Sequence, residues 1–206
     1  MDYLAKGAEA VLYLEDGRLV KERAVKEYRI RELDDRLRKL RTQREAKLLE
    51  NAQNAGVAVP KIYKTDMRGY KIFMEYVKGP SVKEVLEKAS DDEAGIIAEK
   101  IGSMVARMHD AGIVHNDLTT SNMLLHEGLV YFIDFGLGAT SSRIEDRAMD
   151  LVVLKRSLSV AHTAGFKELW SGILESYKRC AKNVPEVLSR VDMIEKRVRY
   201  SESTAL

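Results

Sequence analysis

A lone cysteine, Cys180, excludes an internal disulfide and any cysteine-built metal site, and points to a reducing compartment. With only three prolines and no Gly/Ser tract, the chain has little from which to make flexible linkers. No apolar run approaches the roughly 20 residues that cross a bilayer. The opening Met1-Asp2-Tyr3-Leu4-Ala5-Lys6-Gly7 lacks the apolar core of a signal peptide. These absences lead to the expectation of a cytoplasmic protein that meets no membrane.

What is present suits a folded chain. Of 206 residues, 45% are hydrophobic and 32% charged, which is enough for one compact unit or two small lobes and excludes a disordered chain. The net charge is only +2, yet eleven Lys/Arg stand against six Asp/Glu between Lys21 and Lys47. Such a stretch serves an acidic partner or a phosphate backbone, or is a solvated helix laced with i,i+4 pairs.

The first fifty residues read as strands and then a long helix. Ala10–Leu14 and Arg18–Lys21 flank Asp16-Gly17, a dipeptide that tolerates positive φ and marks a hairpin. From Glu32 to Asn54 the residues Leu33, Leu37, Leu40 and Leu48 recur at helical intervals, with Gly56 to end the helix. Strands follow near Val59–Thr65 and Tyr70–Val77, around Arg68-Gly69. Gly79-Pro80 is a break, Ser81 caps a short helix, and Ser90 with Glu93 forms a capping box. That second helix buries Ile97, Ile101, Met104, Val105 and Met108 and stops at Gly112. Beyond Ile144 the pattern is helical. His109 and His126 read as a helix-end and a turn residue, Trp170 as core, and Cys180 as a packed thiol.

The stretch that carries chemistry is His115-Asn116-Asp117-Leu118-Thr119-Thr120-Ser121-Asn122, followed by Asp134-Phe135-Gly136. Between them Met123–Leu125 and Leu129–Ile133 flank a turn at Glu127-Gly128. Folding that hairpin brings Asn122 opposite Asp134, so that an amide oxygen and a carboxylate converge. Few, hard oxygen ligands suit Mg²⁺, which takes its other ligands from water and nucleotide phosphates. Asp117, five residues before Asn122, is placed to accept the proton of an attacking hydroxyl.

The spacing H-x-D-x-x-x-x-N and then D-F-G resembles the protein-kinase superfamily. In that light Gly7 and Ala8, in Lys6-Gly7-Ala8-Glu9-Ala10, occupy the phosphate-loop position, and Lys21 is the candidate phosphate-binding lysine. Glu45 is its best partner, although spacing does not exclude Glu32 or Glu50. Glu75 and Val77 stand where a kinase hinge offers its backbone to adenine. The departures are Asn116 in place of the usual arginine, Thr119 where a lysine is common, and no A-P-E sequence after Gly136. They imply no activation-loop switch and no ordinary peptide-docking platform.

Lys26-Glu27-Tyr28-Arg29, Glu32-Leu33-Asp34, Arg41-Thr42 with Glu45-Ala46, the His115–Asn122 run, Asp134–Gly138 and Ile144–Leu151 closely resemble the small atypical kinase of the KEOPS (EKC) complex, the p53-related protein kinase family. The resemblance implies an α+β, reduced bilobal kinase fold over residues 1–206. Residues 1–77 would form an N-lobe of antiparallel sheet plus one helix, and 78–206 a mainly helical C-lobe. It implies ATP with Mg²⁺ or Mn²⁺, Lys21 paired to Glu45, Asp117 as catalytic aspartate, and Asn122 and Asp134 as metal ligands. It implies autophosphorylation and ATPase activity. The implied partners are a threonylcarbamoyltransferase subunit and a small cystatin-kinase-binding subunit, together modifying tRNA. The family tail is typically basic; here Arg197-Val198-Arg199-Tyr200 is followed by polar residues.

Two other readings use the same residues. Small-molecule phosphotransferases share H-x-D-x-x-x-x-N but usually need a larger helical lobe for the acceptor. A scaffold or tRNA-binding module with a vestigial site would bind tRNA with steep salt dependence that survives loss of Asp117.

Overall fold

The computed structural model describes residues 2–7 and 9–203; Ala8, expected in the phosphate loop, and the tail residues 204–206 lie outside the described residues. The N-terminal part is a five-stranded antiparallel sheet in the order β1-β2-β3-β5-β4. Its strands are β1 (Asp2–Lys6), β2 (Ala10–Glu15), β3 (Arg18–Arg23), β4 (Ile62–Asp66) and β5 (Lys71–Met74). The β2–β3 hairpin closes at Asp16 and Gly17, whose φ angles of 50° and 75° match the twist of the flanking strands. Strand β5 is shorter than its pattern suggests. Its register with β3 stops at Leu19↔Met74, although the Glu75 N–H still reaches the Lys61 carbonyl at 2.8 Å.

Helix α1 (Arg31–Asn54) packs on this sheet, but not by the leucine face expected from its periodicity. Leu48 is buried, whereas Leu33 and Leu40 are exposed. The inward face carries Thr42, Glu45, Ala46, Leu49 and Ala52. Leu40 lies about 200° around the helix from Thr42, so the two cannot share a face. Polar pairing, rather than apolar spacing, sets the rotation. Buried Asp34 is held by Arg38 at 2.8 Å, and the Arg38 guanidinium lies 4.2 Å from the Tyr70 ring centre.

The C-terminal part is built from α2 (Val82–Leu86), α3 (Asp91–Asp110), α4 (Ile144–Ala161), α5 (Phe166–Cys180) and α6 (Val184–Ser203). Ser81 with Glu84 and Ser90 with Glu93 form complete capping boxes, and Gly112, at φ 70°, ends α3. Two small antiparallel pairs lie against the helices. Strand β6 (Ile113–Val114) pairs with β9 (Ala139–Thr140), and β7 (Met123–His126) with β8 (Leu129–Phe132). The β7–β8 turn is again a left-handed pair, Glu127 and Gly128 at φ 48° and 74°.

The main core runs from Leu48 and Leu49 of α1 through α3, the β7–β8 hairpin and α4 to α6. At each fully buried Leu or Ile, removal from water is worth about 1.5–3 kcal/mol. Ile97, Ile101, Val105 and Met108 of α3 are buried as expected, and Trp170 is core. Helices α3 and α5 meet closely at Gly102, where a Cβ would lie 2.3 Å from the Ile173 carbonyl. Gly79 is likewise more than a break, since a Cβ there would strike the Leu125 carbonyl at 2.1 Å. One expectation is corrected. Cys180 is exposed, because it is the last residue of α5, beyond the buried stretch that ends at Ser176 and Tyr177. His109 stands in the last turn of α3, as expected, and is fully buried, its ring lying between Tyr177 and Asp150.

Candidate active site

Three separate segments meet between the sheet and the helices. Lys21 and Arg23 alternate along β3 and so point to the same face of the sheet, toward α1. Glu45 of α1 receives both, Lys21 Nζ at 2.6 Å on Oε1 and Arg23 Nη2 at 2.5 Å on Oε2. Lys21 Nζ also lies 2.6 Å from Oδ1 of Asp134. Of the three glutamates that spacing allowed, the structure selects Glu45; Glu32 and Glu50 face solvent.

The charges of this cluster reinforce one another. Burial pushes the Lys21 ammonium down, but Glu45 and Asp134 beside it outweigh that and hold it above the usual lysine range. Burial pushes Asp134 up, and the Lys21 charge with hydrogen bonds from Lys21 and the Gly136 N–H more than reverses it. Asp134 sits at φ 60°, a left-handed conformation that turns the chain into Phe135-Gly136 and aims the carboxylate at Lys21.

The loop before β7 supplies the other half. Asn122 Nδ2 donates to Asp117 Oδ2 at 2.8 Å and to the Asp117 carbonyl at 2.9 Å, fixing the carboxylate. Along the hairpin Asn122 stands opposite Ile133, whose N–H donates to the Asn122 carbonyl at 3.0 Å. Asp134 is therefore one residue past the expected partner of Asn122, at the same end of the ribbon. Asn116 occupies φ 62°, which asparagine tolerates, and its amide donates to the Leu137 carbonyl at 3.0 Å. The His115 ring bonds the Ile133 carbonyl at 3.0 Å and rests on Phe135 with centroids 4.7 Å apart.

Two adjoining cavities share Leu12, Lys21 and Asp134. One, of about 350 Å³, is walled by apolar Leu12, Leu19, Met74, Val77, Leu124 and Ile133, with Glu75 and Tyr76 on its rim and Asn122 and Asp134 at its inner end. The other, of about 360 Å³, lies under the β1–β2 connection. Gly7, Ala10, Arg23, Arg41, Asp117 and Gly136 line it. The Gly7 N–H donates to the Ala10 carbonyl at 3.0 Å, and space exists for a Cβ there, so the turn itself does not require glycine. Arg41 of α1 pairs with Glu9 in the same connection.

Two residues that shape the site went unnoticed in the sequence. Asp150 of α4, fully buried, accepts the backbone N–H groups of His115 at 2.6 Å and Asn116 at 2.7 Å. Its signal was an aspartate inside the apolar run Ala148-Met149-Asp150-Leu151-Val152. Arg23 was the second, and its signal was the alternation with Lys21 along one strand.

The donor set fits a magnesium-bound nucleotide. An amide oxygen and a carboxylate oxygen are hard donors, and among the described residues no group of three or more His, Cys, Asp or Glu is gathered as a protein-only metal cage. Such a pair leaves coordination to phosphates and water.

The RIO domain matches residues 15–153. The chain is 41% identical over 216 aligned residues to KEOPS complex subunit Bud32 of Pyrococcus abyssi, covering 98% of this chain and 97% of that one. It is 43% identical to a probable bifunctional tRNA threonylcarbamoyladenosine biosynthesis protein of Methanothermobacter thermautotrophicus, covering 98% of this chain but only 37% of that relative. In fold it is similar to WaaP solved with acyl carrier protein, at TM-score 0.67 and 18% identity over 97% of this chain and 88% of that one. It is also similar to APH(2″)-IIa from a streptomycin–ATP complex, at TM-score 0.63 and 15% identity over 94% and 81%. The antiparallel sheet with one helix, the helical second lobe and the cleft between them are thus a kinase-like fold, and the chain belongs to the RIO-domain family, in its Bud32 branch.

Proposed function

We propose that the chain is an ATP-dependent phosphotransferase, a serine/threonine kinase or ATPase, that works within the KEOPS complex in support of threonylcarbamoyladenosine formation in tRNA. The observation that carries this reading is the convergence of Lys21, Glu45 and Asp134 with Asp117 and Asn122 at one end of an apolar cleft. Lys21 and Glu45 are costly to bury except as partners.

Residues 1–206 act as one kinase domain, with lobes dividing between residues 77 and 78. The apolar cavity takes the adenine, with the backbone of Glu75 and Val77 as its hinge. Gly7 covers the phosphates, and Lys21, oriented by Glu45, binds them. Asn122 and Asp134 hold Mg²⁺ or Mn²⁺. Bound metal–ATP supplies the transferable phosphoryl group and the cation that offsets its charge. Asp117, its carboxylate fixed by Asn122, accepts the proton of the attacking hydroxyl, either from water or from a side chain of this chain in autophosphorylation. A threonylcarbamoyltransferase subunit and a small cystatin-kinase-binding subunit are the partners in the cytoplasm, and tRNA is reached through the complex.

Release of labelled γ-phosphate tests this reading, measured for the isolated chain with Mg²⁺ and again with the transferase partner and tRNA. Turnover that changes when both are added supports an ATPase regulated by its complex. Absence of turnover in both conditions, with tRNA still bound, favours a scaffold.

A further inference from the structure

Each oxygen of the Glu45 carboxylate has its own cation. Lys21 takes Oε1 and Arg23 takes Oε2, and the three side chains are 11%, 5% and 2% exposed for Lys21, Arg23 and Glu45. One lysine would satisfy a glutamate whose only task was to orient it. Arg23 does more than fill the second position. Its Nη2 also reaches the Arg41 carbonyl of α1 at 3.4 Å, so one guanidinium ties strand β3 to two successive turns of the helix. A Cβ on Gly136 would lie 3.7 Å from Arg23 Nη2 and 3.8 Å from Glu45 Oε2, which places the pair directly beneath the turn that carries Asp134.

In kinases the position of this helix is commonly set from outside the cleft, by a phosphorylated loop. This chain has Asn116 where a loop-reading cation would stand, and the Asn116 amide is spent on the Leu137 carbonyl. Fixing of the helix must therefore come from elsewhere. We infer that Arg23 is a positioning residue, a built-in lock that holds α1 against β3 and keeps Glu45 in place when Lys21 turns from Asp134 to the nucleotide. Without Arg23, Glu45 would depend on Lys21 alone. Its Oε2, buried with the rest of the carboxylate, would lose its partner, which is costly. Because the lock is made of resident side chains, it needs no prior phosphorylation.

The inference rests on the phosphotransferase reading for its catalytic consequence, but its structural half is testable apart. Arg23→Gln and Arg23→Lys are compared with wild type by metal–ATP turnover and by hydrogen exchange of residues 34–49, with α3 as an internal reference. Arg23→Gln is expected to lower kcat by up to about a hundredfold, the scale of a small misplacement of catalytic groups, with KM for ATP changed far less. Exchange in residues 34–49 should quicken while α3 is unchanged, and phosphatase treatment should alter neither protein. Arg23→Lys, which keeps the charge, should recover most of both losses, and it carries the comparison if the glutamine variant does not fold. Unchanged exchange across residues 34–49 in folded Arg23→Gln overturns the lock, whatever the turnover. An inactive wild type whose α1 nevertheless loosens in Arg23→Gln would contradict the phosphotransferase reading and leave the lock standing.

Discussion

Asp150 accepts the His115 backbone N–H at 2.6 Å, from a helix thirty-five residues further along the chain, and so fixes the loop that presents Asp117. The same carboxylate takes the Asn116 N–H at 2.7 Å and faces His109 Nε2 at 3.3 Å. Two loop amides, one of them on Asn116 at φ 62°, thus find a buried acceptor, which spares them the cost of desolvation without a partner.

Asp150→Asn replaces one accepting oxygen by an N–H that meets a donor. The expected loss of stability is about 3 kcal/mol, typical of breaking a buried charged network, read as a lowered denaturant midpoint. Turnover should fall with it even where the variant remains folded. A variant with wild-type stability would remove Asp150 from its anchoring role.

Asp134→Ala should abolish metal-dependent ATP turnover while leaving the far-ultraviolet spectrum close to wild type, with a modest fall in melting temperature because alanine tolerates φ 60° less well than aspartate. The Asp134 side chain is 52% exposed and closes no core contact, and Lys21 keeps Glu45. Substantial turnover in a folded Asp134→Ala protein would refute the metal assignment.

His162 gives a pH dependence away from the cleft. Its ring is 7% exposed, and Nε2 lacks a hydrogen-bond partner among the described residues. Burial pushes the imidazole below the ordinary histidine range, with Glu87 opposing and Lys83 adding to the shift. A histidine with a lowered folded value favours folding above its unfolded value of about 6.5, and the advantage is lost as pH falls below that. Urea midpoints should therefore drop between pH 7.5 and 5.5 by more in wild type than in His162→Gln. Equal drops in the two proteins would contradict the burial argument.

Much of this architecture was legible along the chain, because its determinants are local. Asp16-Gly17 and Glu127-Gly128 announce their hairpins through the positive φ that they tolerate. Ser90 and Glu93 announce α3, and the run from His115 to Gly136 holds three candidate site residues within one short hairpin unit. Other features were not legible, because they are pairings across distance. Spacing made Glu45 the best partner but did not exclude Glu32 or Glu50, which only the meeting of β3 and α1 does. The partners of Asp150 and Arg23 lie on other elements and become visible only when the chain is folded. The leucines of α1 misled for a similar reason, since its buried face is chosen by ion pairs and small residues. Cys180 looked packed by residue type, but its place at the very end of α5 leaves it exposed.

The most direct measurement is ATP turnover by wild type and Asp117→Asn at equal folded concentration, following both free phosphate and label on protein. Asparagine preserves the size of Asp117 and removes its capacity to accept a proton. The account predicts that wild type turns over ATP with Mg²⁺ and that Asp117→Asn loses at least about a hundredfold in kcat, as loss of general-base catalysis requires. Turnover in Asp117→Asn equal to that of wild type, or none in either protein with partner and tRNA present, would contradict it.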